Sequence, residues 1–327
     1  MATIRHPLHP LDRAVMIAMR EMVAPMKGSV TGPEARKPFD EWMEKTRSSP
    51  GVTYEQASVG GVAGVWCRPE GAVDPAAAIL YFHGGAYIAG SALAYRHFVG
   101  QIAARTRIAA FVPAYGLAPE RPFPAAVDDA QAAYAGLVAQ GVTSIALAGD
   151  SAGGGLALAL LSLAVAKAKD GLIPAPLGAV AMSPWTDLAL TGDSMASRAE
   201  ADPLTTQQAL ATTAQLYLGK HDPRDARASP LYADLAQLPP ILIHVGEDEV
   251  LLDDSTRYGD RVENSGGVCQ VNVWESMVHV FPSNVSTLHA AKAALDDIGD
   301  FLRRCFKTEP DGASNEGPHP WRARTPA

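Results

Sequence analysis

The segment TSIALAGDSAGGGLALALLSLAVAKAK sets Gly149-Asp150-Ser151-Ala152-Gly153 between one apolar run of strand length and a second of helix length. A serine on a sharp strand-to-helix turn lifts its hydroxyl clear of the sheet and can act as a nucleophile. Such a turn strains the serine backbone and crowds the residues two places away, so Gly149 and Gly153 stand where a Cβ would clash. The turn also leaves the Ala152 N–H free at a helix N-terminus, where developing negative charge is favoured. The pattern Gly-x-Ser-x-Gly also arises by chance; its strand-helix setting, with Gly154 and Gly155 continuing the close packing, points to acyl transfer.

Attack on an ester leaves charge on the former carbonyl oxygen, and a fixed N–H donor aimed at that oxygen is worth about 3–4 kcal/mol. His83-Gly84-Gly85-Ala86-Tyr87 follows the strand-like run AAILYF and precedes the serine. A glycine pair at the carboxyl end of a strand can supply such donors, since that end is where ligands of α/β sheets bind. Gly84 and Gly85 are assigned with Ala152 as the oxyanion donors, against the plainer reading of a turn. His83 is expected to brace the loop rather than act as base.

In folds with this kind of serine turn the partners follow in the order Ser, acid, His. His279, His289 and His319 come late enough. His319 lies in a polar tail and His289 in a helical pattern, whereas His279 follows the last strand in ESMVHVFP, on a loop where a base belongs. The run Gly246-Glu247-Asp248-Glu249-Val250-Leu251-Leu252-Asp253-Asp254 offers more carboxylates than the residues alone can sort. Asp253 or Asp254 suits the cap of the helix that follows, and one of the others must orient the histidine.

These loops need a frame. Short apolar runs at residues 53–59, 62–67, 77–82, 107–113, 144–148, 177–183, 241–245 and 268–274 read as eight strands, the first two a hairpin across Gly60-Gly61. Helical patterns separate most of them, which predicts an α/β fold whose mostly parallel sheet carries helices on both faces. Helices are also expected at 11–26, 39–47 and 205–218. The stretch 186–229 interrupts the alternation and reads as an insertion above the sheet. Residues 308–327, rich in Pro, Gly and polar side chains, are expected to be disordered.

The chain has 327 residues, enough for one domain with a large core. Hydrophobic residues make up 47% and charged residues 19%, ordinary globular usage. A net charge of −8 argues against a nucleic-acid partner, which needs surplus Lys and Arg. Cys67, Cys269 and Cys305 form no C-x-x-C pair and suit a reducing cytosol, so a cytoplasmic location is expected. No secretory pattern opens the sequence. The uncharged runs 151–166 and 171–186 fall short of the ~20 apolar residues of a membrane span.

Taken together, HGGAY, YGLAPERPFPAAVDDA from Tyr115, GDSAGG, SPWTDL from Ser183 and the late acid and histidine loops closely resemble the hormone-sensitive-lipase-like, or bacterial family IV, esterases of the α/β-hydrolase superfamily. The resemblance covers residues 50–305. It implies a carboxylesterase acting on short-chain acyl esters without a cofactor or metal, through Ser151, His279 and an acid. The family's Asp-x-Leu-x-Asp pattern falls on Glu249, Leu251 and Asp253, which makes Glu249 the acid and Asp248 the runner-up. It further implies a helical cap built from residues 1–48 and 186–229; homodimers are common in the family. Three positions depart from the family: Ala86 replaces a third oxyanion glycine, Gly116 replaces an arginine, and Glu249 replaces aspartate. Lactonases, amidases and deacetylases would use the same groups, and a receptor-like ligand-binding member would lack His279.

Overall fold

A computed structural model describes residues 3–72 and 74–307; the expected disordered tail, 308–327, lies outside them, as does His319. In chain order the main elements are β1 (Ile4–His6), α1 (Asp12–Val23), α2 (Arg36–Met43), β2 (Val52–Val59), β3 (Val62–Pro69), β4 (Ala77–Phe82), α3 (Ala92–Thr106) and β5 (Ala109–Pro113). They continue with α4 (Ala125–Ala139), β6 (Ser144–Asp150), α5 (Ser151–Lys169), β7 (Ala179–Met182), α6 (Ser194–Ser197), α7 (Gln207–Leu218), β8 (Ile241–Gly246), α8 (Leu252–Asn264), β9 (Cys269–Trp274) and α9 (His289–Lys307).

Among the described residues all strands form one sheet, ordered β1-β9-β8-β7-β6-β4-β5-β3-β2. Only β2–β3 and β3–β5 pair antiparallel; the rest is parallel. The sheet therefore has nine strands where eight were expected. The additional one, β1, is three residues long and runs into Pro7, too short to show a two-residue period, and it forms by pairing Ile4, Arg5 and His6 with Asn272, Val273 and Trp274.

Successive side chains of a strand face opposite ways, and β4 divides the core accordingly. Ala78, Leu80 and Phe82 pack with residues of α4, α5 and α8. Ala77, Ile79 and Tyr81 pack with α3 and α9. With helices covering both faces, the strands read as unbroken apolar runs. Helix α5 spans 19 residues, three more than the uncharged run 151–166, and is apolar enough to cross a bilayer by length and composition. The fold instead buries it against β4, β6 and β7, where each of its buried leucines contributes about 1.5–3 kcal/mol.

The inserted stretch carries α6 and α7. It meets the N-terminal segment through Gly28 N–H to Leu204 O (2.7 Å) and Lys27 Nζ to Ala199 O (2.7 Å). Asp253 and Asp254 lie in the first turn of α8 yet do not cap it. Asp253 accepts from Ser194 N (2.8 Å), and Asp254 from Thr186 N (2.7 Å) and Asp187 N (2.8 Å). Backbone donors of the insertion take these carboxylates in place of those of their own helix.

Candidate active site

The β6–α5 turn places Ser151 at φ 53°, in the left-handed region that strains a residue with a side chain. Two glycines permit it. A Cβ at Gly149 would run into the Gly153 carbonyl, and one at Gly153 would run into the carbonyls of Phe82 and His83 at the end of β4. The serine turn and the loop after β4 are thus packed backbone against backbone.

Ser151 Oγ lies 2.9 Å from His279 Nε2, and His279 Nδ1 lies 2.7 Å from Glu249 Oε2. For Ser151 to donate to Nε2, Nδ1 must carry the ring proton and donate it to the carboxylate. Glu249 is fully buried, while the His279 side chain is 15% exposed. Burial alone would lower the pKa of His279; the neighbouring charges, led by Glu249 and followed by Asp202 and Asp150, outweigh it and raise it above the usual histidine value. A histidine so placed can accept a proton at Nε2, on the Ser151 side, while its Nδ1 proton stays hydrogen-bonded to the Glu249 carboxylate.

The second oxygen of Glu249 is equally committed. Oε1 accepts from Ser183 Oγ (2.7 Å) and Gly246 N (2.6 Å), and Ser183 Oγ in turn accepts from Val280 N (3.0 Å). The hydroxyl of Ser183 thereby joins the acid to the residue after His279. Ser183 is itself at φ 47° at the end of β7, in the SPW segment. Sequence reasoning used that segment only for resemblance and missed the contact. Asp248, the alternative acid, turns away from His279: its carboxylate meets Arg20 Nη2 of α1 at 2.5 Å. That guanidinium also reaches Ala201 O (2.6 Å) and Ser276 O (3.0 Å). His289 begins α9, with its backbone and ring on Asp12.

The loop after β4 corrects one donor. Gly84 N–H is taken by Asp150 Oδ1 (3.1 Å), whose carboxylate lies beneath the loop and also accepts from Tyr81 Oη (2.6 Å) and Tyr95 Oη (3.0 Å). Burial lifts the Asp150 pKa to about 6 despite those tyrosine bonds. Gly84 therefore cannot serve an oxyanion as assigned, because the side chain next to the nucleophile already uses its proton. Among the described residues no hydrogen bond is made by the N–H of Gly85, Ala86 or Ala152. Ala86 follows Gly85 at φ 53°, so the alanine keeps a glycine-like backbone. His83 is buried and stacked on Tyr115 (4.4 Å), and its Nδ1–H donates to Gly84 O (2.8 Å). Burial holds its pKa down to about 4, so it stays neutral and braces the loop.

The arginine absent at position 116 is supplied from elsewhere. Arg121 fills the space a Cβ on Gly116 would need and forms a two-pronged pair with Asp129 (2.5 and 3.0 Å), which also accepts from Gly116 N (2.8 Å). The bidentate geometry fixes the turn that precedes α4.

Comparison with known proteins agrees with this geometry. A family model described as alpha/beta hydrolase fold matches residues 79–283. An acetyl-hydrolase of Streptomyces hygroscopicus is 39% identical over 248 residues, covering 75% of this chain and 81% of that protein. An esterase of Acinetobacter venetianus is 34% identical over 273 residues, 82% and 88% of the two chains. Among solved structures, the esterase EstE5 soaked with p-nitrophenyl butyrate superposes with a TM-score of 0.81 at 37% identity, covering 90% of this chain and 99% of that one. A hormone-sensitive lipase from a metagenome library gives 0.81 at 35%, covering 88% and 98%. On the matched motifs, the sheet and these relatives, the chain belongs to the α/β-hydrolase fold family, among its hormone-sensitive-lipase-like esterases.

Proposed function

We propose that this protein is a carboxylesterase that hydrolyses short-chain acyl esters through an acyl-enzyme. The observation that carries the reading is the unbroken chain from Ser151 Oγ through both ring nitrogens of His279 to buried Glu249. His279 removes the Ser151 proton as Oγ attacks the ester carbonyl, and Glu249 stabilises the imidazolium. The tetrahedral oxyanion accepts from the N–H groups of Gly85, Ala86 and Ala152, the first two replacing the pair Gly84 and Gly85 expected from sequence. His279 then protonates the departing alcohol, and a water activated by the same ring releases the acid.

Small acyl groups fit a cap made of the N-terminal helices and the insertion. The clamp of Arg20 and the stack of Tyr87 on Tyr217 of α7 (3.9 Å, 4°) support that role, since they tie these segments to the catalytic loops. The Streptomyces acetyl-hydrolase and the butyrate ester soaked into EstE5 point the same way. A receptor-like role is disfavoured by the bonded His279. Cys67, Cys269 and Cys305 are all buried and form no disulfide among the described residues, which fits the reducing cytoplasm.

Hydrolysis of p-nitrophenyl acetate, butyrate, octanoate and palmitate by wild type and Ser151→Ala tests the proposal. Ser151-dependent turnover confined to acetate and butyrate is expected; equal turnover of palmitate would overturn the short-chain assignment. Loss of ester turnover with retention on lactones or amides would move the chain to those substrates. Sedimentation equilibrium tests for the homodimer common in that family, and a monomer mass would remove it.

A further inference from the structure

A third carboxylate stands close to the proposed triad. Asp202, between α6 and α7, is fully buried and makes no ion pair among the described residues. A buried charge is costly unless it is paired and hydrogen-bonded. Backbone donors satisfy its oxygens: Oδ1 accepts from Leu204 N (2.9 Å) and Thr205 N (2.8 Å), and Oδ2 from Val250 N (3.0 Å). The first two are the insertion's own turn. The third is different in kind, because Val250 follows Glu249 in the loop after β8. Among the described residues, Ser151 from α5 and Glu249 from that loop bond the His279 ring, and the carboxylates of Asp202 in the insertion and Asp150 at the end of β6 also act on its charge.

Resting on the esterase reading above, we propose that Asp202 is a positioning residue through which the insertion takes part in catalysis: it anchors the acid loop at Val250 and adds a further negative charge to those acting on the imidazolium. The backbone bonds hold that charge before substrate arrives, so no reorganisation is needed when His279 gains its proton. An interaction stronger with imidazolium than with imidazole favours the transition state over the ground state. The raised pKa of His279, to which Asp202 contributes, accords with this. Because Asp202 belongs to the insertion, displacing that segment would weaken the base as it opened the site.

The test is the pH profile of kcat/KM for p-nitrophenyl butyrate hydrolysis by the whole chain. In Asp202→Asn the plateau of kcat should fall about tenfold from loss of loop registration, KM should change less than about twofold, and the acidic limb should move to lower pH. Asp202→Glu keeps the charge and should keep the limb near wild type even where the plateau falls. An Asn variant whose limb does not move, or a Glu variant whose limb falls, overturns the proposal. Should Asn not fold, Asp202→Ser carries the same arm, with the Glu limb as an independent one. His279→Ala separates this from the function itself: a dead His279→Ala with an unmoved Asp202→Asn limb sinks only the Asp202 role, whereas an active His279→Ala sinks the triad.

Discussion

Shortening Glu249 by one methylene is the most informative single change, because the pattern of the family that the sequence resembles has aspartate there. The carboxylate now holds three partners at once: His279 Nδ1 at 2.7 Å, Ser183 Oγ at 2.7 Å and Gly246 N at 2.6 Å. One carbon–carbon bond is about 1.5 Å. If the backbone stays in place, Glu249→Asp draws the carboxylate back so that those separations approach about 4 Å, beyond hydrogen bonding. The backbone has little freedom to follow. Asp248 N is bound to Met277 O (3.2 Å), Val250 N to Asp202 (3.0 Å), and Leu252 N to Glu249 O (3.1 Å). Losing the correct orienting acid of a Ser-His-acid triad costs up to about 10⁴-fold in kcat. With an intact but retracted carboxylate and water in the gap, a loss of about 10²–10³-fold is expected, or about 3–4 kcal/mol in activation free energy. Initial rates on p-nitrophenyl butyrate, with circular dichroism to verify folding, give the answer. A kcat within about fivefold of wild type would refute the argument, since it would mean that the loop moves freely and side-chain length does not set the triad.

Asp248→Ala removes only the pairing with Arg20; steady-state kinetics should show kcat within about threefold of wild type, with a stability loss near 1 kcal/mol in urea unfolding. Ser183→Ala strands the buried Val280 N–H and removes a donor from Glu249, so urea unfolding should register about 1–3 kcal/mol of destabilisation and the assay a kcat about tenfold lower. Gly153→Ala drives a Cβ into the Phe82 and His83 carbonyls; about 2–3 kcal/mol should be lost, with activity falling further because the oxyanion loop is displaced. The acidic limb of kcat/KM should lie above 6.5, the ordinary histidine value. The sign follows from the chemistry: the neutral ring is the active base, burial alone would favour it, and the surrounding carboxylates prevail and favour the charged ring. Activity is therefore lost as pH falls through that raised pKa, and a limb below 6.5 would contradict it.

The frame around Ser151 was legible because its signals are local. Strand, glycine, serine, glycine and helix follow one another within a few residues, and the Gly149 clash with Gly153 lies inside that turn, whereas the Gly153 clash is with the end of β4. The eight longer strands were legible for the same reason. β1 was not, since three residues beside a proline carry no period and need β9 to exist as a strand. The fate of the Gly84 proton was hidden because it depends on where the Asp150 side chain, 66 residues later, points beneath the loop. Ser183, Asp202 and Arg121 were missed for a related reason: a serine before a proline, an aspartate in a turn and an arginine near a helix start are common locally. Their work appears only when separate loops meet.

Strand β1 also bears on how molecules meet one another. Its three residues cover the outer side of β9 and are tied down there, His6 stacked on Trp274 at 4.0 Å and Arg5 paired with Glu247 at 2.8 Å. Without them, the β9 border of the remaining eight strands would present a row of open N–H and C=O groups, a template for another chain. Cleavage after His6 would then produce self-association at that border before any loss of the core, so the first residues act as a guard against sticking.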